Sequence, residues 1–334
     1  MNNNHLTWLR KNLFNTWNNV VLTIISLLFI YWLLSGFIHW LFTQAQWTVL
    51  TANIRLFFVG RYPARIIWRT WISLGIIVSL SGISWLAFKR FPRLKIWLIP
   101  AWLIGYLAIY LLITGGFFLR PPVRLDSLSG LILTLLVAVT SILLCFPFGV
   151  LLALGRQSKL PVIRWLSTAY IEIFRGLPLI GVLFMAQVML PLVLPVNVRP
   201  DRVVRAIGGY TLFTAAYVAE NVRGGLQSIP RGQTEAAKAL GLNTPLSLIL
   251  IILPQAIKAV IPSTVGQFIS LFKDTSLLAI VGLTDLLGIS QSILANPKYL
   301  GRYAEVYLFI AAIYWSCCYS MSVASRRLER QTNQ

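Results

Sequence analysis

An all-α, polytopic membrane protein is the fold class this chain predicts, and three observations predict it. Hydrophobic residues fill 57% of its 334 positions. Charged residues fill only 11%, against about 25% in an ordinary soluble domain. The apolar residues also come in blocks of about 20, the length that crosses a bilayer as a helix. They are too many to hide in one water-soluble core. A soluble enzyme, a disordered chain and a water-soluble nucleic-acid binder are excluded.

The blocks are read in order, giving about eight transmembrane helices. The first is residues 20–42. Arg10 and Lys11 precede it, as in a signal peptide, but its 23 residues exceed the roughly 7–15 of a signal-peptide core. Residues 67–88 and 95–119 come next, joined by a short link holding Lys89, Arg90, Arg93 and Lys95. Residues 128–154 make a fourth span. Residues 163–194 make a less uniform fifth, interrupted by Glu172, Arg175 and Pro178. Residues 203–222 make a sixth, with Glu220 and Asn221 near its end. One span over 259–283, preceded by a surface helix at 246–257, and a last span at 303–323 complete the set.

Charge sets a boundary and an orientation. All nine acids lie at or after Asp126, whereas residues 1–125 hold twelve Lys or Arg. The chain therefore divides into 1–125, with about three transmembrane helices, and 126–334. With the N-terminus in the cytoplasm, sixteen basic residues fall inside and eleven outside. That is the sign the positive-inside rule requires, although Arg55, Arg61, Arg65 and Arg69 stand against it. The net charge of +20 sits mostly between apolar blocks, where it orients helices and meets lipid headgroups instead of nucleic acid. Cys145, Cys317 and Cys318 form no disulfide framework or zinc pattern, and His5 and His39 have no nearby Cys or acid, so no metal site is expected.

Residues 223–245 break the apolar pattern and are too polar to span. Pro230 can start a helix there and Gly241 can end one. Between them Glu235, Ala236, Ala237, Lys238, Ala239 and Leu240 are strong helix formers. A helix of about ten residues is roughly 15 Å long, half a bilayer, so it lies at the membrane face or projects from it. Small residues and one acid on such a helix make a compact face for a groove.

The spacing from this helix onward is E-A-A, three residues, G, nine residues, then I-x-L-P. Here these are Glu235, Ala236, Ala237, Gly241, Ile251, Leu253 and Pro254. It resembles, without a gap, the EAA loop of permease subunits of bacterial ATP-binding-cassette (ABC) importers. The resemblance covers about 126–334 and is nearest to the polar and general L-amino acid permeases. It is carried further by SGLILTLLVAVTSILLCFPFGVLLALGR, YIEIFRGLPLIGVLFM and GQFISLFKDTSLLAIVGLTDLLG, and more narrowly by LANPKYLGRYAEVYLFIAAIYW. Some members of that subgroup also carry extra N-terminal helices, which 1–125 fits.

The resemblance implies a five-helix type I importer core, with a cytoplasmic coupling loop near 228–257 that inserts into a separate ABC ATPase subunit. It implies a bacterial inner-membrane location, amino acids as cargo and a periplasmic substrate-binding protein as partner. It also implies a second permease subunit, and the specialised extension favours a heterodimer over a homodimer. This chain has no G-x-x-x-x-G-K-[ST]. It holds no cofactor and has no catalytic residues of its own; ATP and Mg belong on the partner ATPase. An ion-gradient-driven secondary amino acid transporter is the alternative, and it would not need the EAA spacing.

Ionisable residues at membrane depth are costly and mark function. Glu172 and Arg175, three apart, share a helix face and can pair. The pair is either a structural bridge near the cytoplasmic end or part of a substrate path meeting the charges of an amino acid. Gly176 and Pro178 would open the helix beside it. Adjacent Lys273 and Asp274 point about 100° apart and need outside partners. With Thr275 and Ser276 they form a second path or gate candidate. Glu220 and Asn221 are expected to orient the turn into the coupling region.

Overall fold

The computed structural model describes residues 8, 11–90, 94–115, 119 and 121–332; Arg10, Arg93 and Arg120 lie outside them. Among the described residues the chain is helical, with no strand beyond one isolated bridge between Gly130 and Asp285. It folds as two compact units, Met1–Thr51 and Ala52–Gln334.

In the first unit α1 (Trp17–His39) is capped by Thr16, whose hydroxyl accepts the Asn19 N–H. A π-helical turn continues it to Gln44. The helix is apolar on every side and buries no residue within the chain, as a lipid-bathed span does. A second helix, α2 (Thr48–Val59), crosses the boundary between the units.

The second unit begins with a hairpin, α3 (Trp68–Lys89) and α4 (Lys95–Thr114). Trp102 closes it by donating its indole N–H to Ser84. Three hydrogen bonds tie this region together and to the chain beyond 126. The Tyr62 hydroxyl donates to the Ile113 carbonyl (2.7 Å), Tyr106 bonds Thr140, and the Arg61 N–H donates to the Ser129 hydroxyl (2.8 Å). Tyr62, Ile66, Ile113 and Val123 share one apolar cluster with Leu133, Val137 and Leu283. Residues 52–125 are thus packed with the chain beyond 126, although the absence of acids sets them apart in sequence.

Beyond 126 the helices are α5 (Gly130–Arg156), α6 (Pro161–Gly176), α7 (Leu179–Phe184), α8 (Leu190–Val193) and α9 (Arg202–Ser228). Then come α10 (Arg231–Ala239), α11 (Thr244–Ser247), α12 (Leu253–Ala259), α13 (Ile261–Asp274), α14 (Leu286–Leu294) and α15 (Tyr303–Thr332).

Among the described residues five helices are long and apolar enough to cross a membrane, and up to seven spans result if each bent pair is one. The one expected span left over, the sixth at 203–222, is α9. Its 27 residues are long enough to span, yet it is too polar to qualify by composition. The reason is its surroundings. Its Ala206, Tyr210, Thr214, Ala215, Ala219 and Val222 are buried by neighbouring helices, so small and polar residues replace lipid-facing ones.

Two more expectations change. The fifth span is not one straight helix: Pro161–Gly176 and Leu179–Val193 meet at 106°. Pro178 lacks an amide donor and biases Leu177 to extended backbone, so the helix stops. The surface helix at 246–257 and the span after it are likewise two arms of one bent pair, Thr244–Ala259 and Ile261–Ala279, meeting at 60° next to Pro262.

Candidate coupling site

The polar segment after α9 folds as its residues suggest. Pro230 occupies the N-cap position of α10, and Gln233 N–H reaches back to its carbonyl (3.0 Å). At the other end Leu242 N–H bonds the Ala237 carbonyl (3.1 Å) and Gly241 N–H bonds that of Lys238 (2.9 Å). These two bonds are a Schellman closure, which needs its penultimate residue in the left-handed region. Gly241 is there, at φ +78°. A Cβ at 241 would meet nothing within 4 Å, so any other residue is penalised through its backbone alone.

Of the nine residues of α10 only Ala237 is buried. Glu235, Ala236, Lys238 and Ala239 face outward, and Leu240, just past the helix end, is 79% exposed. The structure thus brings Glu235, Ala236 and Gly241 onto one projecting helix and turn. Ile251 and Leu253 instead pack on the apolar core, and Pro254 lies exposed. A π-helical turn over Leu248–Ile252 precedes Pro254, where the missing amide breaks the α-helical ladder. The two levels are tied together by Gln255 donating to Gln233 (3.1 Å).

Beneath this loop α12 lies tight on α9. A Cβ at Gly225 would come within 2.5 Å of the Ala256 carbonyl oxygen. Only glycine permits that approach, and it couples any shift of α12 to α9.

Five residues before that contact Glu220 gathers three arginines. Arg156, at the end of α5, reaches its Oε1 at 2.6 Å; Arg223 reaches Oε2 at 2.9 Å; Arg175, at the end of α6, reaches Oε2 at 3.5 Å. Arg156 also bonds Glu172 at 2.9 Å, and Arg175 sits over the Tyr217 ring. The side chain of Glu220 is only 15% exposed, so its attractions are less screened than those of a surface pair.

This corrects the expected local pairing of Glu172 with Arg175. Each is engaged by a partner from another helix, Arg156 and Glu220 respectively. Glu220, expected only to orient a turn, is the hub that joins α5, α6 and α9. Its sole sequence signal was an acid near the end of a helix next to the coupling segment; its partners lie up to 64 residues away.

The other candidates lie elsewhere. Asp274 ends α13, its carbonyl accepting the Tyr210 hydroxyl (2.8 Å). Lys273 is exposed, Ser276 half-buried, and fully buried Thr275 donates to the Phe272 carbonyl. Tyr210 and Glu220 are ten residues apart on α9, about 15 Å along its axis. The six charged or hydroxyl candidates therefore form two separate groups. Among the described residues no cluster of His, Cys, Asp and Glu is arranged to hold a metal ion.

A family model described as the inner membrane component of binding-protein-dependent transport systems matches residues 145–334. The chain belongs to this family. As an inner membrane component it is a multi-pass membrane protein and a transport subunit. An inner membrane amino-acid ABC transporter permease protein of Escherichia coli, YhdY, is 42% identical, the match covering 98% of this chain and 93% of that protein. A glutamate/glutamine/aspartate/asparagine transport system permease protein of Rhodobacter capsulatus, BztC, is 35% identical over the same shares. The crystal structure of an amino acid ABC transporter with histidines superposes with a TM-score of 0.54 at 30% identity, covering 60% of this chain and 92% of that one. The two permease relatives thus match along nearly the whole chain, and the solved structure along 60% of it.

Proposed function

We propose that this chain is the permease subunit of an ATP-driven importer that carries amino acids across a bacterial inner membrane. The observation that carries the reading is α10, a helix with one buried residue that projects from the bundle with the full EAA spacing behind it. A gradient-driven carrier has no use for such a helix. A groove on a separate ATPase does, because small side chains allow close approach and Glu235 supplies one charged contact. The relatives' printed functions support amino acids as cargo.

In this reading residues 126–334 are the permease core, residues 1–125 an N-terminal extension, and the end bearing α10 faces the cytoplasm, as does the N-terminus. ATP and Mg are bound by the ATPase. A binding protein delivers cargo at the opposite end, and a sibling permease completes the path as a heterodimer. Glu172, Arg175 and Glu220 transmit movement of the coupling loop to three helices at once. Lys273, Asp274, Thr275 and Ser276 remain the path candidates nearer the other end.

The test is purification of this chain from its native membrane. The wild type brings down a P-loop ATPase and a second permease. Gly241→Asp loses the ATPase while the chain stays in the membrane, because a left-handed non-glycine residue costs about 1–2 kcal/mol and the new charge enters the docking face. An ATPase recovered equally with both would overturn the docking role of α10.

A further inference from the structure

The end of the bundle opposite α10 carries a charge surplus that helix orientation does not explain. Basic residues on the translocated side oppose the positive-inside bias, yet Arg55, Arg61 and Arg65 lie there within eleven residues of sequence. Contacts place this turn over the end of the core. Arg61 N–H bonds Ser129 at the start of α5, and Gly130 N–H bonds the Thr284 carbonyl (2.9 Å). Arg202, at the start of α9, donates to the Gly282 carbonyl (3.0 Å). The Phe57 ring lies 5.0 Å from that of Phe309, which brings the first turns of α15 to the same end.

The acids at this end are committed elsewhere. Asp126 pairs with Arg124 at 2.8 Å, and Asp201 caps α9 through Val203 N–H. Asp285 is fully buried and caps α14 through Leu287 and Gly288 N–H. Glu305 is buried, 3.7 Å from Arg302. Among the described residues, Arg55, Arg61, Arg65, Arg199 and Lys298 are exposed with no carboxylate at ion-pair distance.

We propose that this end is a cationic seat for a clustered-carboxylate face on the soluble cargo-carrying protein, an inference that rests on the importer reading. Lipid headgroups surround a bundle at its perimeter. Here the basic turn is bonded to the start of α5, which is itself bonded to Thr284 just before α14, at the end where a soluble partner lands. Unpaired exposed charge of one sign raises the encounter rate of an oppositely charged partner and sets its orientation, with strong dependence on salt.

The experiment uses the reconstituted importer, this chain with its ATPase and second permease, in nanodiscs of neutral or of anionic lipid. The half-saturating concentration of loaded binding protein for ATPase stimulation is measured against salt. In neutral lipid at low salt, Arg61→Ser with Arg65→Ser raises it roughly threefold to tenfold, and the gap closes at high salt. Arg199→Ser with Lys298→Ser gives a second, independent pair, and Lys159→Ser at the other end leaves the value unchanged. Unchanged half-saturation in both pairs overturns the seat. So does an effect confined to anionic nanodiscs, which would assign the arginines to lipid. Absence of any stimulation in the wild type would instead sink the importer reading, and the seat with it.

Discussion

Both ends of the bundle are rich in arginine, and they treat it in opposite ways. At the end that bears α10, Arg156, Arg175 and Arg223 converge on Glu220, with Glu172 closing the group on Arg156. At the far end the acids cap helices or pair locally, and Arg55, Arg61, Arg65 and Arg199 stay open to solvent. Paired charge joins helices and makes them move together. At the far end Arg55 donates to the Tyr62 carbonyl and Arg199 to that of Leu194, but among the described residues their charges meet no carboxylate and are available to a partner. On the proposed reading the contrast assigns mechanical connection to the end bearing α10 and encounter to the far end.

Breaking the paired end has the largest expected effect. Glu220→Ala leaves three arginines in a partly buried site with only Glu172, on Arg156, as counter-charge, a loss of roughly 1–3 kcal/mol. Transport in proteoliposomes falls at least tenfold, and Glu220→Asp restores part of it. ATPase recovery in a pull-down persists, because α10 itself is untouched. Transport at the wild-type rate in Glu220→Ala would show the network to be ornamental to coupling.

The two ends differ in how far they were legible. The helix α10 was, because its determinants are local: Pro230, a run of helix formers and Gly241 lie within twelve residues. The break at Pro178 was signalled for the same reason. The Glu220 network was not, because Arg156 and Arg175 approach it only once α5 and α6 are packed on α9. A three-residue spacing favoured Glu172 with Arg175, and tertiary contacts overrode it. The polarity of α9 hid its role in the opposite direction, since a helix buried in protein need not look like a helix in lipid. Acid content changes near 125, yet the compact units divide at 51/52, because 52–125 packs with later helices through contacts such as Arg61 with Ser129 that composition does not encode.

A smaller effect sharpens the view of the far end. Burial pushes the Asp285 carboxyl up to about 6, against the pull of its hydrogen bonds from Gly288 and Leu287 N–H. Its folded pKa thus exceeds the usual value of about 3.9. The stabilisation from the protonated form is fully present below pH 4 and is lost as pH rises through 6. Asp285→Asn keeps a capping oxygen without the charge. It therefore flattens that part of the pH profile of thermal unfolding in detergent and raises Tm by a few degrees at neutral pH. An unchanged slope between pH 4 and 6 would show that Asp285 titrates as an exposed carboxylate.

The central claim is that α10 and the turn at Gly241 dock the ATPase, and site-directed cross-linking tests it most directly. The three native cysteines, Cys145, Cys317 and Cys318, are replaced by serine, and one new cysteine is placed at Leu240 or, as the opposite end, at Arg61. Both sites are exposed. In native membranes Leu240→Cys should give an adduct containing a P-loop ATPase, and Arg61→Cys should give none with that subunit. An ATPase captured from Arg61→Cys, or from neither position while transport continues, would contradict the account.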